Sequence, residues 1–190
     1  PRLNAAGRMG QAELAVRLLT TDSYREALDL AGELDVANRE RQHAVDSMLR
    51  QAWQEASRQR EDNEPALVVW QEGWHSGVTG IVAAKLMERY NCPVVVIAIE
   101  GNTGKGSVRA PDGIHVHQAL SYCSKYLLDF GGHRSAGGLK ISVDCLSDFR
   151  RLFCQAVANQ LGGKPPRSVL RLDAEVPLSY WNIQTVKELE

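Results

Sequence analysis

The spacing of apolar residues along the first third of the chain predicts helices. Residues 11–19 are rich in Ala and Leu, and from Tyr24 to Leu34 apolar residues recur three and four positions apart, as on one buried helix face. Ser23 and Glu26 stand at the start of this run, at the spacing of a capping box, which is typical of the beginning of a helix.

The segment 33–64 contains neither Gly nor Pro and keeps one narrow apolar stripe among densely charged positions. A helix of this kind extends roughly 40 Å. The stripe favours a strut that connects two domains. A coiled-coil arm is the alternative, but the stripe lasts only about three heptads, which is short for a coiled coil.

After residue 64 the pattern predicts a strand, a helix and a second strand. Residues 66–70 are a short apolar strand, residues 77–90 are helical, and residues 93–99 form a continuous β-branched run typical of a strand buried on both faces. This order predicts a βαβ unit, in which two parallel strands are joined by a right-handed crossover.

Glycines dominate the pattern beyond this unit. We expect a Gly-rich loop over 100–113, a helix over 117–129, a second glycine loop over 131–138, a strand over 139–143 and a closing helix over 146–161. Residues 162–166 have the composition of a linker, and residues 169–176 alternate like a half-buried strand that opens a further unit.

Composition and charge narrow the class of protein. The chain has 190 residues, of which 44% are hydrophobic and 24% charged, as in a soluble globular domain. The longest apolar run, 94–99, is far shorter than the roughly 18 residues of a membrane span. The net charge of −1 excludes a broad basic surface, so nucleic acid would need a local cationic cluster.

The cysteines and the chain start add two expectations. The four cysteines show no CxxC spacing, which favours reduced, buried thiols in a cytoplasmic protein. Because the chain begins at Pro1, without Met and directly in a motif-like stretch, we expect a piece of a longer protein.

Three predicted loops combine glycines with cationic or hydroxyl side chains. The first, Glu-Gly-Trp-His-Ser-Gly at 72–77, follows a strand and opens a helix, whose N-terminal N–H groups suit a phosphate. The alternative is a plain turn in which Ser76 is the cap and His75 is exposed. Trp74 lies in this loop and is the one tryptophan of the chain that we expect to be available for base stacking.

The second loop, 101–109, is not a Walker A sequence, because Gly106 stands where Ser or Thr must follow the lysine. Ser107 and Arg109 are two residues apart on an extended segment, so their side chains point the same way. A hydroxyl beside a guanidinium is a suitable clamp for a phosphate. The alternative is a solvated hairpin.

The third loop, 131–138, contains four glycines and one alanine. The missing side-chain bulk lets another chain approach the backbone closely, and His133 is the side chain presented there. The alternative is a tight loop with a packed histidine.

The spacing of residues in the sequence predicts neither a metal site nor a Ser–His–Asp triad. His115 and His117 alternate on one segment near Asp112, but no carboxylate cluster joins them, and we interpret both as surface or cap residues.

Four stretches, taken together and in order, resemble the DHH phosphoesterase family, in particular its bacterial single-strand-specific 5′→3′ DNA exonucleases. They are Pro-Arg-Leu-Asn-Ala-Ala-Gly-Arg at 1–8, Gly-Trp-His-Ser-Gly-Val-Thr-Gly-Ile-Val-Ala at 73–83, Gly-Lys-Gly-Ser-Val-Arg at 104–109, and Gly-Gly-His through Gly at 131–138. The last stretch ends in Ala-Gly-Gly, where the family usually has Ala-Ala-Gly. The resemblance covers essentially the whole chain.

The resemblance implies an α/β fold with a mixed sheet and flanking helices. Residues 1–32 would end the catalytic DHH domain, 33–64 would be the long connecting helix, 65–161 the DHH-associated domain, and 162–190 a linker with the start of an OB-fold segment.

The resemblance also implies a metal-dependent exodeoxyribonuclease of DNA repair and recombination. Two Mn²⁺ or Mg²⁺ ions would activate water and stabilise charge on the phosphate, and their ligands would lie upstream of residues 1–8. We therefore expect the isolated chain to be inactive. The expected partners are single-stranded DNA, single-strand-binding protein and a helicase.

Carried over by position, Ser107 and Arg109 are similar to residues that hold the 5′-terminal phosphate. His133 resembles a catalytic residue that faces the metals and the nucleotide, and Arg8 resembles a residue at the lobe interface. The full set of nucleic-acid-binding residues so implied is Arg8, Trp74, His75, Lys105, Ser107, Arg109, Gly131, Gly132, His133 and Arg134.

Three alternatives stay open. A phosphoesterase of the same family acting on short oligonucleotides or cyclic dinucleotides is disfavoured by the long helix and the incipient OB segment. A non-catalytic RNA- or DNA-binding module would not need residues 1–8. A structural domain without a ligand is disfavoured by three glycine–cation loops in one βα domain.

Overall fold

Helices lie on both faces of one five-stranded mixed sheet in the computed structural model, which describes residues 1–162 and 172–188. The helices are α1 (Arg2–Arg8), α2 (Ala12–Thr20), α3 (Tyr24–Glu61), α4 (Thr79–Tyr90), α5 (Val116–Tyr122), α6 (Leu146–Leu161) and α7 (Ile183–Lys187). The strands are β1 (Leu67–Glu72), β2 (Val94–Glu100), β3 (Thr103–Arg109), β4 (Leu127–Gly132) and β5 (Ala136–Ser142). The predicted α/β class with a mixed sheet and a preceding long helix is confirmed.

The long helix α3 begins earlier than residue 33, where the sequence placed its start. It is continuous from Tyr24, because Gly32 lies in open space and a single glycine costs a helix only about 1 kcal/mol. Its N-terminal half packs on α1 and α2, and its C-terminal half packs on β1 and α4. The helix therefore joins the N-terminal helices to the sheet.

The start of α3 uses only half of the predicted capping box. Ser23 Oγ accepts a hydrogen bond from the backbone N–H of Glu26, as expected. The Glu26 carboxylate does not return a bond to Ser23; it accepts from Thr21 Oγ1 at 2.6 Å and from Arg17 Nη2 at 2.7 Å. Both hydrogen bonds lower the pKa of Glu26, and the one from Thr21 has the larger effect. The bond from Arg17 also connects α2 to α3.

The sheet has the strand order β1-β2-β3-β5-β4. β1 and β2 are parallel and α4 lies between them in sequence, which confirms the predicted βαβ unit. The remaining pairs are antiparallel. Beyond β2 the sheet is therefore antiparallel: β2 and β3 form one hairpin, β4 and β5 form a second, and β5 lies between β3 and β4.

β3 occupies the central half of the segment 100–113 that was predicted to be a loop. A Cβ on Gly104 would lie 2.6 Å from Ile97, and a Cβ on Gly106 would lie 2.8 Å from the same side chain. Bulky side chains of β2 and β5 therefore fill the space beside these glycines. From the sequence alone, the same glycines were interpreted as loop residues.

The glycine-rich stretch 131–138 is likewise mostly strand. β4 and β5 form a hairpin over the predicted loop 131–138, and the helix expected over 117–129 ends at Tyr122. The two predicted loops were thus wrong for one reason, because strand glycines were taken as loop residues. The predicted helix was too long because residues 127–129, which belong to β4, were taken as helical. The closing helix and the strand that precedes it are confirmed.

Two apolar clusters hold the sheet between its helices. One lies between the sheet and α3 and α4, and the other lies between the sheet and α5 and α6. On the face of the sheet toward α3 and α4, helix α4 covers β2 and β3. On the same face, Asp129, Gly138 and Lys140 of β4 and β5 are exposed. Half of this face is therefore open to solvent among the described residues.

The connecting helix is fastened to the free edge of β1 by one buried amide. Gln59 is 1% exposed, its Nε2 donates to Val68 O at 2.9 Å, and its Oε1 accepts from Val68 N at 2.9 Å. The amide therefore pairs with the strand as a neighbouring strand would.

We expect Gln59→Leu to lower the free energy of unfolding by about 2–4 kcal/mol, because the N–H and C=O of Val68 lose their partner while buried. Urea unfolding followed by circular dichroism measures the change. Gln54→Leu, at an exposed position of the same helix, is the matched control. Equal stability of the two variants would contradict the role given to this amide.

The four cysteines are free, as expected for reduced thiols. Three of them are buried, and this burial raises the pKa of Cys92 to about 11 and the pKa values of Cys123 and Cys154 to about 12. Cys145 differs from the prediction because it is only half-buried. No helix in the described residues is both long and apolar enough to cross a membrane.

The C-terminal segment is only partly described. Residues 172–176 form no strand, and the rest of the strand predicted over 169–176 lies outside the described residues, as does most of the predicted linker. Residues 178–180 form a short turn of helix before α7. The predicted start of an OB fold is therefore not confirmed.

Candidate nucleic-acid interface

The loop after β1 is closed by a histidine. His75 Nδ1 accepts a hydrogen bond from the backbone N–H of Gly77 at 3.1 Å, so His75 caps the turn that leads into α4. In the plain turn considered as the alternative, Ser76 was the expected cap. Because Nδ1 is an acceptor, the neutral ring carries its proton on Nε2, which is the one hydrogen-bond donor of this ring.

Trp74 is not presented to a ligand in this structure. Its side chain belongs to the apolar cluster under α3 and α4, it is 8% exposed, and its indole N–H donates to Gln51 Oε1 at 2.7 Å. The stacking role expected for Trp74 therefore has no exposed ring face to use. The residue anchors the loop to α3 instead.

The end of α1 rests directly on this loop. A Cβ on Gly77 would overlap the backbone carbonyl of Arg8, and Arg8 Nη1 donates to Gly77 O at 3.3 Å. Glycine at position 77 thus permits the contact. It brings Arg8 beside a loop that lies 69 residues later in sequence.

Ser107 and Arg109 share the face of β3 that packs toward α4. A Cβ on Gly80 in the first turn of α4 would lie 3.1 Å from Arg109 Nη2 and 3.4 Å from Ser107 Oγ. Both side chains are half-buried. The hydroxyl and the guanidinium group therefore lie on the same side of β3, over the N-terminal turn of α4.

Among the residues that the structure describes, no carboxylate neutralises the positive charge at this point. Burial lowers the pKa of Arg109 first, and repulsion from the nearby Arg8 lowers it further. Neither arginine forms an ion pair within residues 1–162 and 172–188, and one Arg109 N–H is bonded to Val108 O at 2.8 Å. Two guanidinium groups held near each other without a carboxylate form an attractive position for an anion.

The hairpin of β4 and β5 continues the same face with bare backbone. Ser107 pairs with Gly138, and Gly138 pairs with Gly131, so the three residues form one row across the sheet. A Cβ on Gly131 would meet nothing within 4 Å, and one on Gly138 would meet only Gly106 O, at 3.7 Å. Space therefore lies above both glycines on the open half of the sheet.

The hairpin turn is held against the end of β3. Ser135 O accepts from the N–H of Ala110 at 3.0 Å, and Arg134 O accepts from the N–H of Val116 at 2.7 Å. The side chains of His133 and Arg134 are exposed on this fixed turn. The structure thus places them beyond the strand ends, next to the segment that follows Arg109.

Lys105 extends the cationic surface along β3. It lies on the Ser107 side of the strand, is exposed and pairs in register with Lys140 of β5, which is also exposed. Lys140 was missed by the sequence analysis, although its place in a short strand after the glycine stretch was a usable signal. The sequence analysis also missed Thr79, whose Oγ1 lies 2.9 Å from Ser107 Oγ.

His115 and His117 lie at the start of α5. His115 Nδ1 accepts from the N–H of Gln118 at 3.4 Å and caps α5, as the cap interpretation predicted. His117 is exposed and lies 5.9 Å from the ring of Phe130, on the α5 side of the sheet. Among the described residues, no three His, Cys, Asp or Glu side chains come together as a metal site.

Comparison with known proteins gives a consistent picture. The model of the DHHA1 domain family matches residues 63–159, which is more than half of the chain. The single-stranded-DNA-specific exonuclease RecJ of Bacillus subtilis is 36% identical over all of this chain and 24% of its own length. RecJ of Thermus thermophilus is 41% identical over 79% of this chain and 21% of its own length.

A solved structure shows the same fold. The crystal structure of Thermus thermophilus RecJ with Mg²⁺ superposes with a TM-score of 0.77 and 36% identity, covering 84% of this chain and 24% of the solved one. A second structure of that protein contains Mn²⁺. The chain spans about a quarter of these relatives. It belongs to the DHHA1 domain family and corresponds to the part of RecJ exonucleases that carries this domain.

Proposed function

We propose that this chain is the part of a 5′→3′ single-stranded-DNA exonuclease that recognises the 5′ end of the substrate. The observation that carries the proposal is the convergence of Arg8, Ser107 and Arg109 at the N-terminal turn of α4. They bring together a hydroxyl and two guanidinium groups that form no ion pair within the described part of the chain. A terminal phosphate monoester carries more charge than an internal phosphodiester. It is therefore the part of a DNA strand that two adjacent arginines favour most.

The open half of the sheet gives the strand a path away from this pocket. Gly138 and Gly131 leave the backbone bare beside Ser107, and Lys105 and Lys140 supply exposed positive charge along the same face. A sugar-phosphate chain can approach such a surface closely, and the lysines position phosphates without reading sequence. Because the net charge of the chain is only −1, this local cluster must provide the electrostatic attraction.

His133 is the residue that we assign to contact the phosphodiester that is cleaved. It is exposed on the fixed turn beside the glycine row, where its ring can donate a hydrogen bond to the phosphate that is cleaved. His75 Nε2, Gly132 and Arg134 complete the proposed surface, whereas Trp74 supports the loop from below. These assignments rest on the placement of the side chains and on the resemblance in sequence.

The described residues do not fit a divalent-metal site, because no three metal-ligating side chains converge among them. The Mg²⁺ and Mn²⁺ of the solved relatives therefore point to an enzyme whose metal ligands lie outside these residues, and we assign this chain no metal-dependent step. Its proposed contribution is to bind the end and orient the strand. Single-strand-binding protein and a helicase stay predicted partners.

Binding of short single-stranded DNA with a 5′-phosphate or a 5′-hydroxyl, followed by fluorescence anisotropy at low salt, tests the proposal. We expect at least about ten-fold tighter binding of the phosphorylated end, since charge-assisted hydrogen bonds contribute about 1.5–3 kcal/mol. The same oligonucleotide with a 3′-phosphate is the control for added charge. Equal affinity for the three ends would contradict end recognition by this chain.

A further inference from the structure

The hydroxyl group of Thr79 fixes the hydrogen-bond direction of Ser107. Thr79 is 2% exposed, its Oγ1 donates to Ser76 O at 2.9 Å, and the same Oγ1 lies 2.9 Å from Ser107 Oγ. A threonine hydroxyl carries one proton, and the carbonyl of Ser76 can only accept. Ser107 is therefore the donor in the contact between the two hydroxyl groups.

This direction opposes the binding of an anion. With its proton directed at Thr79, Ser107 presents only lone pairs toward the space shared with Arg109, and a phosphate oxygen needs a donor there. To bind phosphate, the Ser107 hydroxyl must rotate, and Thr79 must then turn its own proton toward Ser107. The carbonyl of Ser76 stays satisfied, because it also accepts the backbone N–H of Thr79.

We propose that Thr79 is a positioning residue that holds the Ser107 proton away from the 5′-phosphate site, and that phosphate binding reverses the Thr79–Ser107 hydrogen bond. The inference rests on the proposed function and adds a residue that sets the affinity of its pocket. Before binding, the two hydroxyl groups make two hydrogen bonds within the protein. After binding, they make one within the protein and one to the phosphate.

Removal of the Thr79 hydroxyl is therefore expected to tighten phosphate binding. In Thr79→Val, which keeps the side-chain shape, Ser107 donates to the phosphate without giving up a bond within the protein. One net hydrogen bond corresponds to a change of about two- to ten-fold in affinity. Thr79→Ser keeps the hydroxyl and is expected to keep the wild-type preference.

The experiment compares the ratio of dissociation constants for short single-stranded DNA with a 5′-hydroxyl and with a 5′-phosphate, in wild type, Thr79→Val and Thr79→Ser. We expect the ratio to rise about two- to ten-fold in Thr79→Val only. The rise must vanish when Ser107 is also replaced by Ala. Damage to the fold would weaken binding, so a gain separates positioning from a structural role; Thr79→Ala serves if the valine variant does not fold.

An unchanged or lower ratio in Thr79→Val would overturn the inference, and so would a rise that persists in the Ser107→Ala background. If wild type prefers the phosphorylated end and the valine variant shows no gain, only the role of Thr79 fails. If wild type shows no preference, the proposed function fails and this inference fails with it.

Discussion

Replacement of Gly132 by alanine is expected to lower the free energy of unfolding by about 2–5 kcal/mol, the sum of backbone strain and overpacking. Gly132 has φ of +146°, a conformation that residues with a Cβ rarely adopt. A Cβ at this position would lie 2.5 Å from Ala136 O and 2.5 Å from the Cα of Gly137. Both are backbone atoms of the partner strand, so the hairpin itself would have to open.

Gly131 provides the matched control for this prediction. It lies one residue earlier in the same strand, and a Cβ there would meet nothing within 4 Å. Gly131→Ala is therefore expected to change the unfolding free energy by less than about 1 kcal/mol, as at other uncrowded surface positions. Urea unfolding of both variants makes the comparison, and equal losses would show that the special conformation of Gly132 is not what the hairpin depends on.

The two glycines differ in a second measurement. The methyl group of Gly131→Ala would stand in the open row beside Gly138 and Ser107. If single-stranded DNA lies on this row, the stable variant binds it more weakly than wild type. A folded domain with lowered DNA affinity is the result that separates a binding surface from a structural turn.

The elements that the sequence predicted well are those with a strong repeat of apolar residues. The helical spacing of α3 and the β-branched run of β2 place their side chains in the core, where burial enforces the predicted structure. The βαβ unit followed from their order. These segments could be predicted from their own residues alone, because each has an apolar face that is buried.

The sequence analysis missed β3, β4 and the first residues of β5, because contacts with neighbouring strands determine these segments. Gly104 and Gly106 are required by Ile97 on the next strand, a contact that no local pattern reveals. Alternation was nevertheless present: glycine or valine faces one side of β3, and Lys105, Ser107 and Arg109 face the other. A two-residue period that ignores glycine would have found the strand.

The candidate site was predictable only in part, for a related reason. The spacing of Ser107 and Arg109 gave their common direction, which the structure reproduces over α4. The approach of Arg8 depends on a backbone contact at Gly77, and the burial of Trp74 depends on α3. Contacts between segments so distant in sequence leave no signal in the spacing of either one.

Arg109→Ala is expected to reduce the preference for a 5′-phosphate by about ten- to a hundred-fold, the loss that corresponds to one charge-assisted contact of about 1.5–3 kcal/mol. The expected change lies in binding of the phosphorylated end, while affinity for the 5′-hydroxyl strand changes little. Lys105 and Lys140, which attract the strand along its length, are unaffected by the substitution. Arg109→Lys keeps the charge but loses the two-pronged geometry, so an intermediate preference is expected.

Arg151→Ala is the control, because Arg151 is exposed on α6, on the opposite side of the sheet, and already pairs with Asp148 at 3.2 Å. Dissociation constants for both ends, measured for wild type and each variant, form a thermodynamic cycle that isolates the terminal phosphate. If Arg109→Ala weakens both ends equally, the arginine attracts the strand in general and the end pocket lies elsewhere. A loss confined to the phosphorylated end would mean that Arg109 contacts the terminal group itself, because attraction along the strand cannot distinguish the two ends.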